Sequence, residues 1–197
     1  MIRVATVWQI SIPALSLIAF GLWPDGQPLL EYQTSTSLSQ QWWVLLSTPL
    51  LHTNGYHLMM NVAAYCLIAS LSSSSLHSWR MPVLTLWLGA LSTLGFALFN
   101  HQLTSLVGLS GALHGIVAYL VIREFNSGPK FMLVLGAGLV IKLAWEQFVG
   151  ASAHTASLID ANVAVLSHLT GAIAGTLTAL VMRFIVARGL VATRATH

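Results

Sequence analysis

Three short segments place reactive side chains in an otherwise apolar sequence. His57 and Asn61 stand four residues apart, so a helix puts them on one face. Ser110 lies within Gly108-Leu109-Ser110-Gly111-Ala112-Leu113-His114-Gly115, and His168 opens His168-Leu169-Thr170-Gly171-Ala172-Ile173-Ala174-Gly175. A serine hydroxyl is a weak nucleophile until a neighbouring base takes its proton, and histidine suits that task near neutral pH. The oxyanion formed on attack needs donors. His57 and Asn61 can supply side-chain donors, and the backbone at Ser110, near a helix N-terminus, offers N–H groups without intrahelical partners. No acid lies near His168 in sequence, so the expectation is a Ser110–His168 dyad rather than a triad.

The elements that position these residues must be membrane helices. The chain has 197 residues, 56% of them hydrophobic and 7% charged, whereas a soluble domain carries about 25% charged residues. That leaves too little polar surface for an ordinary soluble enzyme. A net charge of +3 spread without a basic stripe also argues against nucleic acid as a partner. Cys66 is the sole cysteine, which excludes an intrachain disulfide. No shift in composition marks a second domain, so residues 1–197 read as a single all-α membrane domain.

A membrane-crossing helix needs roughly 20 mostly apolar residues. Six runs approach that length, at about 4–23, 56–71, 81–99, 106–122, 131–149 and 162–186. The first follows Arg3 and stops at Pro24, Asp25 and Gly26; without a small-x-small cleavage site after it, it reads as a retained helix rather than a signal peptide. The second ends at the serine run Ser72 to Ser75. Six crossings put both termini on one side. Arg3, Arg80, Arg123, Lys130, Arg183, Arg188 and Arg194 fall on that side, and Asp25, Glu31 and Asp160 on the other. Positive charge favours the cytoplasmic face, so both termini are expected in the cytoplasm.

That orientation starts the second, fourth and sixth helices outside, with His57, Asn61, Ser110 and His168 near their outer ends. Ser110 lies about 20 Å of helix from Arg123, and His168 about 22 Å from Arg183. Serine and histidine therefore match in depth, roughly 10 Å below the outer surface of a ~30 Å hydrocarbon core. Gly111 with Gly115, and Gly171 with Gly175, form small-xxx-small faces that allow close helix packing. His52, Leu109 and His114 are further candidates to line the site. Lys142, the one basic residue inside a span, has Glu146 four residues on, which reads first as a structural pair. The long first connection, with Trp42 and Trp43, is expected to be a partly helical segment lying in the outer leaflet.

Together the three motifs resemble the rhomboid intramembrane serine proteases: His57-xxx-Asn61 opening the second helix, Gly108-Leu109-Ser110-Gly111 in the fourth, and His168-xx-Gly171-xxx-Gly175 in the sixth. Order, spacing and sidedness agree from about Trp42 to Arg183. The resemblance implies a six-helix bundle in which Ser110 is the nucleophile, His168 the base, and His57 and Asn61 oxyanion donors. It implies a membrane-anchored protein substrate, cut in or near its transmembrane segment, with the 150–161 loop flanking or capping substrate access.

Two residues depart from the family pattern. An aromatic residue often stands four after the serine; here His114 does, open to stacking, hydrogen bonding or tuning of the base. The first connection has Trp42-Trp43-Val44 in place of the usual Trp-Arg pair. The compact form and the Gly-Leu-Ser-Gly-Ala-Leu-His-Gly string are most similar to the rhombosortase branch. That likeness implies a bacterial inner-membrane enzyme with its active site toward the periplasm, cutting glycine-rich C-terminal sorting tails of exported proteins. Two other classes are an inactive rhomboid-like protein that binds membrane helices, and a metal transporter lined by His52, His57, His114 and His168. No short His-x-His or Cys-x-x-Cys spacing supports the latter, so no metal or cofactor is expected.

Overall fold

A computed structural model describes residues 4–22, 27–35, 37–72, 76, 78–100 and 102–188. Arg3, Arg194, the Pro24 to Gly26 stop and Ser73 to Ser75 lie outside the described residues. The chain runs through α1 (Val4–Leu22), α2 (Gln27–Leu30), β1 (Tyr32–Gln33), α3 (Val44–Ser47), α4 (Gly55–Leu71), α5 (Arg80–Phe99), β2 (Ser105–Leu106), α6 (Ser110–Arg123), α7 (Pro129–Phe148), α8 (Ala153–Ile159) and α9 (Val165–Ala187). The helices α5, α7 and α9 are long and apolar enough to cross a membrane, and Trp8–Gly21, α4 and α6 are shorter apolar helices.

Their surfaces suit lipid rather than water. On α7 only Met132, Leu143 and Glu146 are buried, while Leu133, Val134, Val140, Ile141 and Phe148 are exposed. Water penalises such a face, whereas a bilayer accepts it. The inverse holds for α6, whose Gly111, Ala112, Leu113, Gly115, Ile116, Ala118, Tyr119 and Leu120 are all buried. It forms the axis of the bundle, and α5, α7 and α9 pack around it.

The closest approach is between α6 and α9, and it depends on glycine. A Cβ on Gly171 would collide with the carbonyl oxygen of Gly111, and one on Gly175 with that of Gly115. From the other side, a Cβ on Gly115 would lie 2.7 Å from the carbonyl oxygen of Gly171. α5 braces this pair: Ser92 Oγ donates to the Ser167 carbonyl at 2.8 Å, and Thr170 Oγ1 donates to the Ser92 carbonyl at 3.1 Å. Hydroxyls satisfied within the bundle add polar contacts between helices without exposing a polar group to lipid.

The fourth apolar run corrects its expected start. A helix from residue 106 is replaced by strand β2, a turn, and a helix that begins at Ser110 itself. Gly108 adopts φ +115°, a left-handed backbone that breaks a right-handed helix and that glycine tolerates. α6 is consequently 14 residues long, about 21 Å, so its first turn lies below the level at which a full crossing would begin. The sixth helix starts at Val165 rather than 162.

The first connection is partly helical, as expected, and also carries a strand. It contains the short helices α2 and α3, but β1 pairs antiparallel with β2, Tyr32 opposite Leu106 and Gln33 opposite Ser105. This two-stranded ribbon is a small departure from an all-α fold. Tyr32, Val44, Phe96 and Leu106 form a buried cluster beneath it, with Tyr32 edge-on to Phe96 at 6.1 Å. Thr48 links the layers: its hydroxyl accepts the Tyr32 N–H at 2.8 Å, and its carbonyl accepts the Gly108 N–H at 3.2 Å. Trp42 remains exposed.

Candidate active site

Ser110 is the first residue of α6 and His168 the fourth of α9, and the glycine contacts below them hold both at one level. Ser110 Oγ lies 2.9 Å from His168 Nε2. On the far side of the ring, His168 Nδ1 lies 2.9 Å from Glu146 Oε2. The expectation that no acid reaches His168 is therefore corrected: Glu146 arrives from α7, 22 residues earlier in the chain. Its other oxygen, Oε1, accepts from Lys142 Nζ, so the expected Lys142–Glu146 pair forms and shares its carboxylate with His168. A carboxylate only accepts, which makes Nδ1–H of His168 the donor and leaves Nε2 to accept from the serine hydroxyl.

His114 lies flat against the same ring. The His114 and His168 centroids are 4.2 Å apart with planes 15° from parallel. His114 Nδ1 is 2.7 Å from the Ser110 carbonyl, an acceptor, so Nδ1–H donates and fixes the ring in place. Of the possibilities open to this histidine, stacking and hydrogen bonding are both realised.

His57 and Asn61 reach the site from α4. Asn54 caps that helix, its Oδ1 accepting the His57 N–H at 2.9 Å, a side-chain acceptor for an otherwise orphaned amide. The same residue donates Nδ2 to the Leu158 carbonyl at 2.9 Å, and Thr53 Oγ1 donates to the Ile159 carbonyl at 2.6 Å. These two bonds moor α8 to the head of α4. A Cβ on Gly108 would lie 2.7 Å from His57 Nε2 and 3.6 Å from Asn61 Nδ2, so both atoms face the backbone just ahead of Ser110. Asn61 is 5% exposed, and its Nδ2 has no hydrogen-bond partner among the described residues. A buried, unspent donor is costly in a stable fold and is what an oxyanion requires.

Two candidates fall elsewhere. His52 does not line the site; it is fully buried behind His57, ring edge to ring face at 5.0 Å. Burial and the neighbouring His57 push its pKa down to about 3. Leu109, expected to line the site, packs instead in the apolar core with Leu88, Leu113 and Ile116. Sequence reasoning missed Glu146 as the partner of His168, and Thr48, Thr53 and Asn54 as the anchors of the surrounding loops. The Asn54-x-x-His57 spacing carried a helix-cap signal.

Two openings reach Ser110. One, about 160 Å³, lies between Thr53, His57, Leu106, Ser110, Ile159 and Ala161, under the 150–161 segment. The other is a groove of about 580 Å³ between α4 and α7, apolar along Ile68, Val117 and Leu135 and polar where Asn61, Ser110 and Lys142 border it. Nitrogen and oxygen atoms of His114, Glu146 and His168 lie within 4.8 Å of one another, a set able to approach an ion. It differs from the four-histidine set suggested by sequence, and both nitrogens of His168 are already engaged by Ser110 and Glu146.

The arrangement can move a proton from Ser110 Oγ to His168 Nε2 while donors converge near Gly108, the requirement for acyl transfer. A family model described as the rhomboid domain matches residues 39–184. No curated protein matches the chain.

Proposed function

The chain belongs to the rhomboid family of intramembrane serine proteases, and we propose that it is an active endopeptidase in which Ser110 is the nucleophile and His168 the general base. The observation that carries this reading is the 2.9 Å contact between Ser110 Oγ and His168 Nε2, made at the partly buried start of a membrane helix. A family member that had lost catalysis would have no need to keep that pair aligned.

In the proposed reaction Ser110 Oγ bonds to the scissile carbonyl carbon as its proton passes to His168 Nε2. The carbonyl electron pair moves onto oxygen, where Asn61 Nδ2, His57 and the first-turn amides of α6 stabilise it. Collapse breaks the C–N bond, and the leaving amine takes the proton from Nε2. Water, deprotonated by the same histidine, then bonds to the acyl carbon; the C–Oγ bond breaks, Ser110 Oγ recovers the proton from Nε2, and the acyl group leaves as a carboxylate.

The substrate is proposed to be a membrane-anchored protein that meets the site from the lipid. A helical substrate hides its carbonyls, so small or helix-breaking residues near the cut favour unwinding. Glycine-rich C-terminal tails of exported proteins, the substrate class of the rhombosortase branch, fit that requirement. Six crossings with both termini in the cytoplasm are supported by Arg80, Arg123 and Arg183, which lie at the ends of α5, α6 and α9 opposite Ser110. In a bacterial inner membrane that orientation turns the site to the periplasm.

The test uses the full chain in membranes. Wild-type protein should label with a fluorophosphonate probe and cut a single-span reporter bearing a glycine-rich juxtamembrane segment. Ser110→Ala should lose both while still co-purifying with the reporter. Reporter cleavage unaffected by Ser110→Ala would sink the assignment.

A further inference from the structure

We infer that Glu146 is a positioning residue of the reaction, turning the expected dyad into a buried Ser110–His168–Glu146 relay; the inference rests on the protease reading above. Three observations bear on it. First, the carboxylate is divided, Oε2 to His168 Nδ1 at 2.9 Å and Oε1 to Lys142 Nζ. An ion pair needing only to neutralise itself in the membrane is complete with Lys142; the second contact has to be explained separately. Second, Glu146 is 9% exposed on a helix that buries only Met132 and Leu143 besides, so the charged side chain lies on the narrow face that α7 turns to the bundle. Third, His168 has no other hydrogen-bond partner for Nδ1 among the described residues, so its tautomer is set by this contact.

The chemistry follows from donor and acceptor capacity. With Nδ1–H given to the carboxylate, Nε2 carries the lone pair that takes the Ser110 proton. Once that proton is transferred the ring is an imidazolium, with Nδ1–H on Glu146 and Nε2–H available to the leaving amine. Glu146 keeps its charge throughout and no proton passes to it, so the Glu146–His168 contact strengthens as the ring becomes positive. His114, stacked on the ring and bonded to the Ser110 carbonyl, prevents rotation out of this alignment. Lys142 fixes the carboxylate from its free side.

A glutamine at 146 tests this directly, because its amide can donate to Nδ1 and trap the wrong tautomer. Fluorophosphonate labelling of Ser110 in the full chain reads activation of the serine without needing the natural substrate. Glu146→Gln should label at least about 100-fold more slowly than wild type. Glu146→Asp should recover part of the rate, and reporter cleavage should lose kcat with KM little changed. A Glu146→Gln protein that is folded in detergent and labels at the wild-type rate overturns the inference. Histidine-selective NMR of the wild-type protein gives a readout independent of how variants fold. A far-downfield imidazole N–H proton lost in His168→Ala supports the relay, and an unprotonated Nδ1 refutes it. Absence of Ser110 labelling in wild type would instead remove the protease reading itself.

Discussion

Adding one methyl group at Gly171 should disable the proposed protease without touching Ser110 or His168. A Cβ there would lie 2.8 Å from the carbonyl carbon of Gly111 and 3.3 Å from its Cα. Carbon atoms rest at about 3.5–4.0 Å, so α6 and α9 must part by at least about 0.7 Å at this level. Gly111 directly follows Ser110, and Gly171 lies one turn below His168, so the separation is transmitted to the 2.9 Å contact between Oγ and Nε2. Stretched to about 3.6 Å, that contact is no longer a hydrogen bond. A misplacement of this size costs about 100-fold in rate, and the overpacking about 1–3 kcal/mol in stability. The assay is fluorophosphonate labelling and reporter kinetics on Gly171→Ala, with unfolding followed in the same detergent. Gly21→Ala is the control, because nothing lies within 4 Å of its added Cβ. Labelling of Gly171→Ala at the wild-type rate would refute the claim that close α6–α9 packing aligns the pair.

Two further outcomes follow from the rings around the site. His114→Phe keeps a flat ring on His168 but loses the bond to the Ser110 carbonyl, so labelling should stay within about 10-fold of wild type while His114→Ala falls further; equal rates for the two would show that stacking contributes nothing. His52, with a pKa of about 3 when folded, stays neutral where the unfolded chain, at about 6.5, takes up a proton. The contribution of His52 to stability is therefore constant well above pH 6.5 and falls by up to about 1.4 kcal/mol per pH unit as pH drops from there toward 3. Denaturation midpoints between about pH 7.5 and 5 should drop less steeply for His52→Gln than for wild type, and parallel slopes would contradict the assigned burial.

The helical framework was readable because lipid leaves few choices. A backbone that must satisfy itself folds as helices, and apolar length marks where they run. The six apolar runs correspond to α1, α4, α5, α6, α7 and α9, most of them within a residue or two at each end. The exceptions have local causes. The 106–109 stretch is as apolar as a helix interior, and only Gly108, with its φ of +115°, reveals that the chain is still extended there. The partner of that extended piece is Tyr32–Gln33, more than 70 residues earlier. A two-residue strand carries no periodicity from which such a pairing could be read.

Glu146 was hidden for a different reason. Depth arithmetic, which brought Ser110 and His168 to one level, applies to it equally: it lies two residues before the end of α7, and His168 three after the start of α9. Residues 149–164, which hold the short α8, join the two helices, and Gln147 Nε2 donates to the Val165 carbonyl at 3.1 Å, so those ends are adjacent. What concealed the contact was Lys142. An acid four residues from a base on one apolar helix already has its charge explained, and the search for a partner stops there. Yet a carboxylate has two oxygens, and a lysine occupies one. In a chain with only 5 acidic residues, the second oxygen of the one acid placed inside a membrane helix has to be given a partner, and the histidine at its own depth is the group that needs it.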